Sequence, residues 1–223
     1  ITCVPKTVIE QDRIASSLTD IDSLIDSLDS LIAKKQAIKE GAMQQRLTGK
    51  KRLEGFDEPW VEVKLGDVLC LGNGRDYKHL GKGPIPVYGT GGYMTSVSDY
   101  LYEGETVCIG RKGTIDEPQY HNGKIWTVDT LFYTYGYKNV AVKYIYYLFM
   151  TIDWLCYNEA SGVPSLTSKT VLNINVNIPS SVNEQTAIAN ILSDMDDEID
   201  ALKQQHDKKK NNAKPKAKFN KKK

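Results

Sequence analysis

One block of this chain is written twice, 174 positions apart, and that repeat limits the fold more than any other feature. In the first copy, apolar residues fall at Ile14, Leu18, Ile21, Ile25, Leu28 and Ile32, an unbroken 4-3-4-3-4 spacing that forms a coiled-coil seam on a helix. The second copy keeps the phase at Ile188, Leu192, Met195, Ile199 and Leu202. Polar positions recur too: Pro5, Glu10, Gln11, Ala15, Asp20, Asp22 and Asp26 return as Pro179, Glu184, Gln185, Ala189, Asp194, Asp196 and Asp200. Thr7-x-x-Glu10 and Ser181-x-x-Glu184 read as capping boxes, each two residues after a proline. A heptad stripe also suits a helix packed on its own core, but two copies flanking a module favour pairing of the helices with each other.

The first helix is expected over residues 7–39, running on past Gly41 and stopping at Thr48-Gly49. Its basic end at Lys34, Lys35 and Lys39 suits the helix dipole. At about 1.5 Å per residue it is a rod on the order of 50 Å, the span of about 15 base pairs of B-DNA. Between the helices, residues 60–179 change to short β-like runs with many glycines. Val61-Glu62-Val63-Lys64-Leu65 alternates, Val87-Tyr88 leads into Gly89-Thr90-Gly91-Gly92, and Thr106-Val107-Cys108-Ile109 enters Gly110-Arg111-Lys112-Gly113-Thr114. Residues 140–155 read as a helix with Tyr144, Leu148 and Ile152 on one face, and Trp60 and Trp126 as core anchors. The fold class is α+β: one mixed module flanked by two long helices that form a coiled coil. Domain boundaries are expected at 1–55, 56–179 and 180–223.

Charge is uneven. Residues 203–223 carry ten lysines and one acid, which leaves 19 basic and 27 acidic residues in the body. Such a tail reads first as a solvated end and second as a nucleic-acid contact. Cys3, Cys70, Cys108 and Cys156 form no C-x-x-C pair and no metal-like cluster with the three histidines, so free thiols are expected and no metal site. No run approaches the roughly 18 apolar residues of a membrane span, and a cytoplasmic protein is expected. Residues 1–4 occupy the position of residues 175–178 before the second copy, so the chain reads as opening on the last strand of a preceding module.

Residues 38–56, Ile-Lys-x-Gly-Ala-Met-Gln-Gln-x-Leu-Thr-Gly-Lys-x-Arg-Leu-x-Gly-Phe, followed by Trp60 and Leu65-Gly66-Asp67, resemble the conserved central region of the specificity subunits of type I restriction-modification systems. The repeated Pro-x4-Glu-Gln-x2-Ile-Ala-x2-Leu block resembles that family's two conserved regions, so the resemblance covers the chain to about Gln205. It implies a target recognition domain that reads one half of a split double-stranded DNA site. It further implies helices that space two such domains and dock modification subunits. Those partners would bind S-adenosylmethionine and methylate adenine N6, and a restriction subunit would hydrolyse ATP and cut; this chain would need no cofactor of its own. The family continues its second helix into a Gly-x-Met-Gln-x2-Leu-Thr-Gly-Lys segment. Here Lys208-Lys209-Lys210-Asn211-Asn212 stands instead, which puts a second contact with a modification subunit in doubt.

Three glycine-rich sets carry the candidate DNA contacts, because glycine lets a backbone approach phosphate closely while Arg, Lys, Asn and Thr bond phosphates and base edges. The first is Asn73, Arg75, Tyr77 and Lys78; Tyr88, Thr90 and Gly91 join it. The second is Arg111, Lys112, Gly113 and Thr114, and the third Ser161 and Ser165. The plainer reading of each is a hairpin turn with solvated charges. His121 stands without a carboxylate or cysteine at catalytic spacing, and reads as an ordinary surface or structural histidine rather than a general base. No catalytic residue is expected: the chain has no Pro-Pro for an adenine methyltransferase motif and no Gly-Lys followed by Ser or Thr for a phosphate loop. Asp116-Glu117 lacks the lysine of a nuclease motif. A complete site calls for either a homodimer or a second module in the same subunit. A rival class is a coiled-coil adaptor whose module binds protein, which the acidic body favours; a stand-alone enzyme is disfavoured by the missing motifs.

Overall fold

The computed structural model describes residues 7–213; residues 1–6, with Cys3 and the proposed opening strand, and the lysine-rich end from 214 lie outside the described residues. In chain order the elements are α1 (Val8–Arg46), β1 (Trp60–Lys64), α2 (Leu65–Val68), β2 (Cys70–Asn73), β3 (Ile85–Gly89), β4 (Gly92–Val97), β5 (Tyr102–Gly110), β6 (Gln119–Thr127), β7 (Leu131–Tyr135), α3 (Val142–Phe149), a 3₁₀ turn (Trp154–Tyr157), α4 (Ser168–Leu172), β8 (Asn175–Pro179) and α5 (Val182–Ala213). The chain divides into two compact units, one of residues 7–41 with 193–213, the other Ala42–Leu192.

In the helical unit, α1 and α5 pair antiparallel within the one chain. Lys35 meets Glu198 at 2.6 Å, Lys39 meets Asp196 at 2.5 Å, and the His206 ring lies 3.3 Å from Asp29, so rising numbers on one helix meet falling numbers on the other. Along the predicted seam Leu28 and Ile199 are buried, and Ile21, Ile25, Ile32, Met195 and Leu202 half-buried. Ile14 and Leu18 are 44% and 47% exposed. Thr7 caps α1 as its hydroxyl accepts from the Glu10 amide at 3.3 Å.

The second unit holds a six-stranded sheet of order β2-β7-β5-β6-β3-β4 and a separate antiparallel ribbon of β1 and β8. The ribbon pairs Trp60 with Pro179 and Lys64 with Asn175, so the chain enters and leaves the module side by side. Ile188, Ala189 and Leu192 of α5 are buried in this unit. The second copy of the repeat is used here in a way its capping pattern did not predict. Glu184 is completely buried, and its carboxylate accepts two bonds from Arg52, at 3.1 and 2.7 Å, and one from Trp60 Nε1 at 3.4 Å. A buried carboxylate needs such charge-assisted partners. Gln185 accepts from the Ala141 amide at 2.9 Å and donates to the carbonyls of Pro179 and Asn139, at 2.8 and 3.3 Å. The repeated Glu-Gln pair therefore holds the connector, β8 and the approach to α3.

Trp126 is a core anchor, packed with Val87, Val97 and Val128. Trp60 is half-buried and anchors the connector, its ring lying where a side chain on Gly49 would come within 3.2 Å. The helix expected over 140–155 stops at Phe149: Thr151 turns its hydroxyl to the Leu148 carbonyl at 2.7 Å, and Trp154 closes onto the Phe149 carbonyl at 2.8 Å. Tyr144 and Leu148 still share the buried face. Where β5 and β7 separate, the buried Thr106 and Thr134 hydroxyls bond across the gap to backbone at 2.7 and 2.8 Å, replacing the ladder. Cys70, Cys108 and Cys156 are free thiols, and burial pushes the Cys108 thiol up. Among the described residues no helix is long and apolar enough to cross a membrane, and no three His, Cys, Asp or Glu side chains are grouped to hold a metal.

Candidate nucleic-acid interface

The short turn between β6 and β7 is where the candidate loops meet. Only Val128, Asp129 and Thr130 separate the two strands, so its carbonyls lack ladder partners and take bonds from neighbouring loops. From the first set, Arg75 donates its amide to Thr127 O at 2.8 Å and Gly74 to Leu131 O at 3.0 Å. From the second, the amides of Arg111 and Lys112 both donate to Thr130 O, at 2.8 and 3.2 Å, and Arg111 Nη1 donates to Asp129 O at 3.4 Å. The Val128 amide donates to Tyr88 O at 3.0 Å. The third set joins the second: Gly113 donates to Pro164 O at 2.9 Å, Leu166 to Arg111 O at 3.0 Å, and Lys112 bridges to Ser165. Nothing in residues 127–130 marked this hub, since it has neither glycine nor cation. The available signal was its brevity between two apolar runs, Ile125-Trp126 and Leu131-Phe132.

Two clefts result. Asn73, Arg111, Lys112 and Ser165 line one of about 320 Å³, floored by Phe132, with the Arg111 guanidinium 6.0 Å from the Phe132 ring centre. Thr90 and Gly91 line another of about 340 Å³ with Tyr93, Met94, Val128 and Thr130. Gly113 takes φ +95° beside them, its absent side chain leaving 3.5 Å to Thr90 Oγ1. Arg75, Lys78 and Ser161 are exposed but line neither cleft. Tyr77 is different: it packs on the Val87, Val97, Trp126 and Val128 cluster, so its ring belongs to the core. Thr114 supplies the carbonyl against which Gly110 packs.

The glycines also divide by role. A side chain on Gly74 would lie 1.9 Å from Val128 O, one on Gly110 1.9 Å from Thr114 O, and one on Gly72 2.1 Å from the Tyr133 ring. These three make room for the protein's own chain rather than for phosphate. Gly91, Gly92 and Gly162, by contrast, have open space around them, and there the backbone is free for close approach by a ligand.

His121 is not isolated. Its ring stacks on Tyr88, with centres 3.8 Å apart and planes at 29°, and Nε2 lies 3.3 Å from Gln119 Oε1. Burial lowers its pKa from the ordinary 6.5 to about 4, so the imidazole is neutral at neutral pH. A stacked, neutral ring bonded to an amide has no proton-transfer partner here, in keeping with a structural role.

Residues 57–210 match the family described as type I restriction modification DNA specificity domain. The S subunit of a type I restriction-modification system from M. genitalium aligns with a TM-score of 0.72 at 21% identity, covering 93% of this chain and 59% of that one. The HsdS subunit from Thermoanaerobacter tengcongensis aligns at 0.57 and 19% identity, covering 92% and 56%. A chain from a study of complex assembly and conformational transition of the type I R-M system aligns at 0.60 and 18% identity, covering 94% and 57%. These likenesses establish the α+β fold with long flanking helices. The chain spans less than three-fifths of the length of each of these proteins. No curated protein sequence matches.

Proposed function

The chain belongs to the type I restriction-modification DNA specificity family, and on that premise we propose that its sheet module reads one half of a bipartite double-stranded DNA target. The observation that carries this reading is the convergence of three loop sets on the β6–β7 turn, which gathers Asn73, Arg111, Lys112 and Ser165 around one cleft. Arginine and asparagine can bond guanine and adenine edges in bidentate fashion, while lysine and serine suit phosphate. Thr90 and Gly91 line the neighbouring cleft, and Arg75, Lys78, Tyr88, Gly113, Thr114 and Ser161 belong to the same loop sets. Tyr77 supports it from within the core.

The chain supplies specificity without catalysis. Methyl transfer and cleavage belong to the modification and restriction subunits with which it assembles, and the helices serve as spacer and docking surface for the former. The 39 residues of α1 make a rod of about 58 Å, a length suited to setting the distance between two half-sites. The second half-site is read by a further module, in the same subunit or in a second copy.

The test is equilibrium binding of the full chain to duplex DNA as salt is varied, with and without modification subunits. Arg111→Ala weakens binding and reduces the salt slope by about 0.9 if Arg111 meets a phosphate, or costs about 1–3 kcal/mol at one base position if it meets a base edge. Helical content stays unchanged. Binding to no duplex under either condition would instead favour an adaptor whose module binds protein.

A further inference from the structure

We propose that Gln119 and His121 are positioning residues of the reading surface, setting the β3–β4 hairpin tip so that Tyr93 and Met94 meet base edges of the DNA. The inference rests on the DNA-reading function proposed above.

The tip outruns its sheet. β3 pairs with β6 only at Val87↔Trp126 and Tyr88↔Thr127, and the β3–β4 register shifts between Val87 and Tyr88. The side-chain amide of Gln119, at the start of β6, donates to the carbonyls of both Gly89 and Thr90, at 3.0 and 3.1 Å. One side chain thus holds two successive carbonyls of the hairpin tip.

That double donation also fixes the amide's orientation. The nitrogen must face the two carbonyls, so Oε1 faces His121, and the His121 Nε2 at 3.3 Å carries the hydrogen. The same ring stacks on Tyr88, and Tyr88 meets Tyr93 edge-on with centres 6.3 Å apart. Gln119 therefore sets the tip's backbone, and His121, through Tyr88, sets its leading aromatic ring.

The tip presents two exposed side chains with apolar surface. Tyr93 is 63% and Met94 53% exposed, beside Gly91 and Gly92 with open space around them. They line the cleft that Thr130 shares, and Thr130 O is the acceptor for the Arg111 and Lys112 amides, so an apolar tip stands next to the cationic loop. Apolar side chains of this kind discriminate bases by contact with the thymine methyl, while neighbouring cations hold the phosphates.

The experiment incubates the full chain with duplexes carrying a randomised window and sequences the bound fraction. Three variants are compared with the wild type: Gln119→Glu, which keeps the shape but sets a carboxylate against two carbonyls; His121→Ala; and Tyr93→Ala, an exposed change that leaves the core untouched. The expected result is that all three lose preference at the same adjacent positions, by about 5-fold or more per lost contact. The remaining positions and the salt dependence stay as in the wild type. Retention of the full wild-type preference by Gln119→Glu and Tyr93→Ala would overturn the proposal. So would a uniform loss at every position that follows the melting temperature, the mark of a merely structural role. A wild-type chain with no sequence preference would contradict the DNA-reading function itself, and this inference with it.

Discussion

Gly110 and Gly91 stand in neighbouring loops under different constraints. Gly110→Ala forces a methyl group to within 1.9 Å of a backbone oxygen, and should destabilise the module by about 1–3 kcal/mol in urea denaturation. Gly91→Ala meets nothing within 4 Å; stability should change by no more than about 0.5 kcal/mol while DNA binding weakens. Equal stability losses at both sites would show that the division of roles is wrong. The glycine-rich sets drew attention in the sequence for one reason, close approach to phosphate, and packing supplies a second that spacing does not distinguish. His121 gives a further prediction. Its folded pKa of about 4 lies below the ordinary 6.5, so between these values the unfolded chain binds more protons and stability falls on acidification. Thermal melts of wild type against His121→Gln should therefore show the wild type losing its relative advantage between pH 6.5 and 4, with no such drift above 7. A difference that is flat with pH would mean that His121 is as well solvated folded as unfolded.

At the scale of elements, the second repeat copy shows how much one conserved spacing conceals. The long helices were legible because 4-3 spacing, caps and polar positions agree in both copies. What the spacing did not reveal is that Glu184 is buried under Arg52 and Trp60, since a capping box and an ion-pair anchor use the same letter. Arg52→Met should leave that carboxylate buried without its cation and lower the urea midpoint. The double variant Arg52→Met/Glu184→Leu should recover part of the loss, because the penalty lies in the uncompensated charge. No recovery would place the contribution in Arg52 packing alone. The strands were legible where alternation or a run into glycine marked them, as in β1, β3 and β5. The helix is shorter than the 140–155 that its sequence predicts, because the apolar face continues through Ile152 while local bonds from Thr151 and Trp154 end the helix at Phe149.

For the whole molecule, the sequence indicated which loops carry donors and acceptors, and the fold supplies the turn that brings them together. Residues 127–130 are the least conspicuous part of the module, and their carbonyls organise the surface through long-range bonds that no local pattern encodes. Tyr77 reads as a contact residue in the sequence for the complementary reason, since adjacency to Arg75 and Lys78 does not say which way a ring faces. The helices pair within the chain, and the module closes on itself through β1 and β8, so the paired helices and the sheet belong to separate units. The loops around the β6–β7 turn are proposed to read duplex sequence. The most direct test compares the affinity of the full chain for a duplex recovered by selection with that for a permuted duplex of the same composition. Two mismatched positions should weaken binding by at least about 30-fold, roughly 2 kcal/mol, and Arg111→Ala should narrow that gap. Equal affinity for the two duplexes would contradict the account.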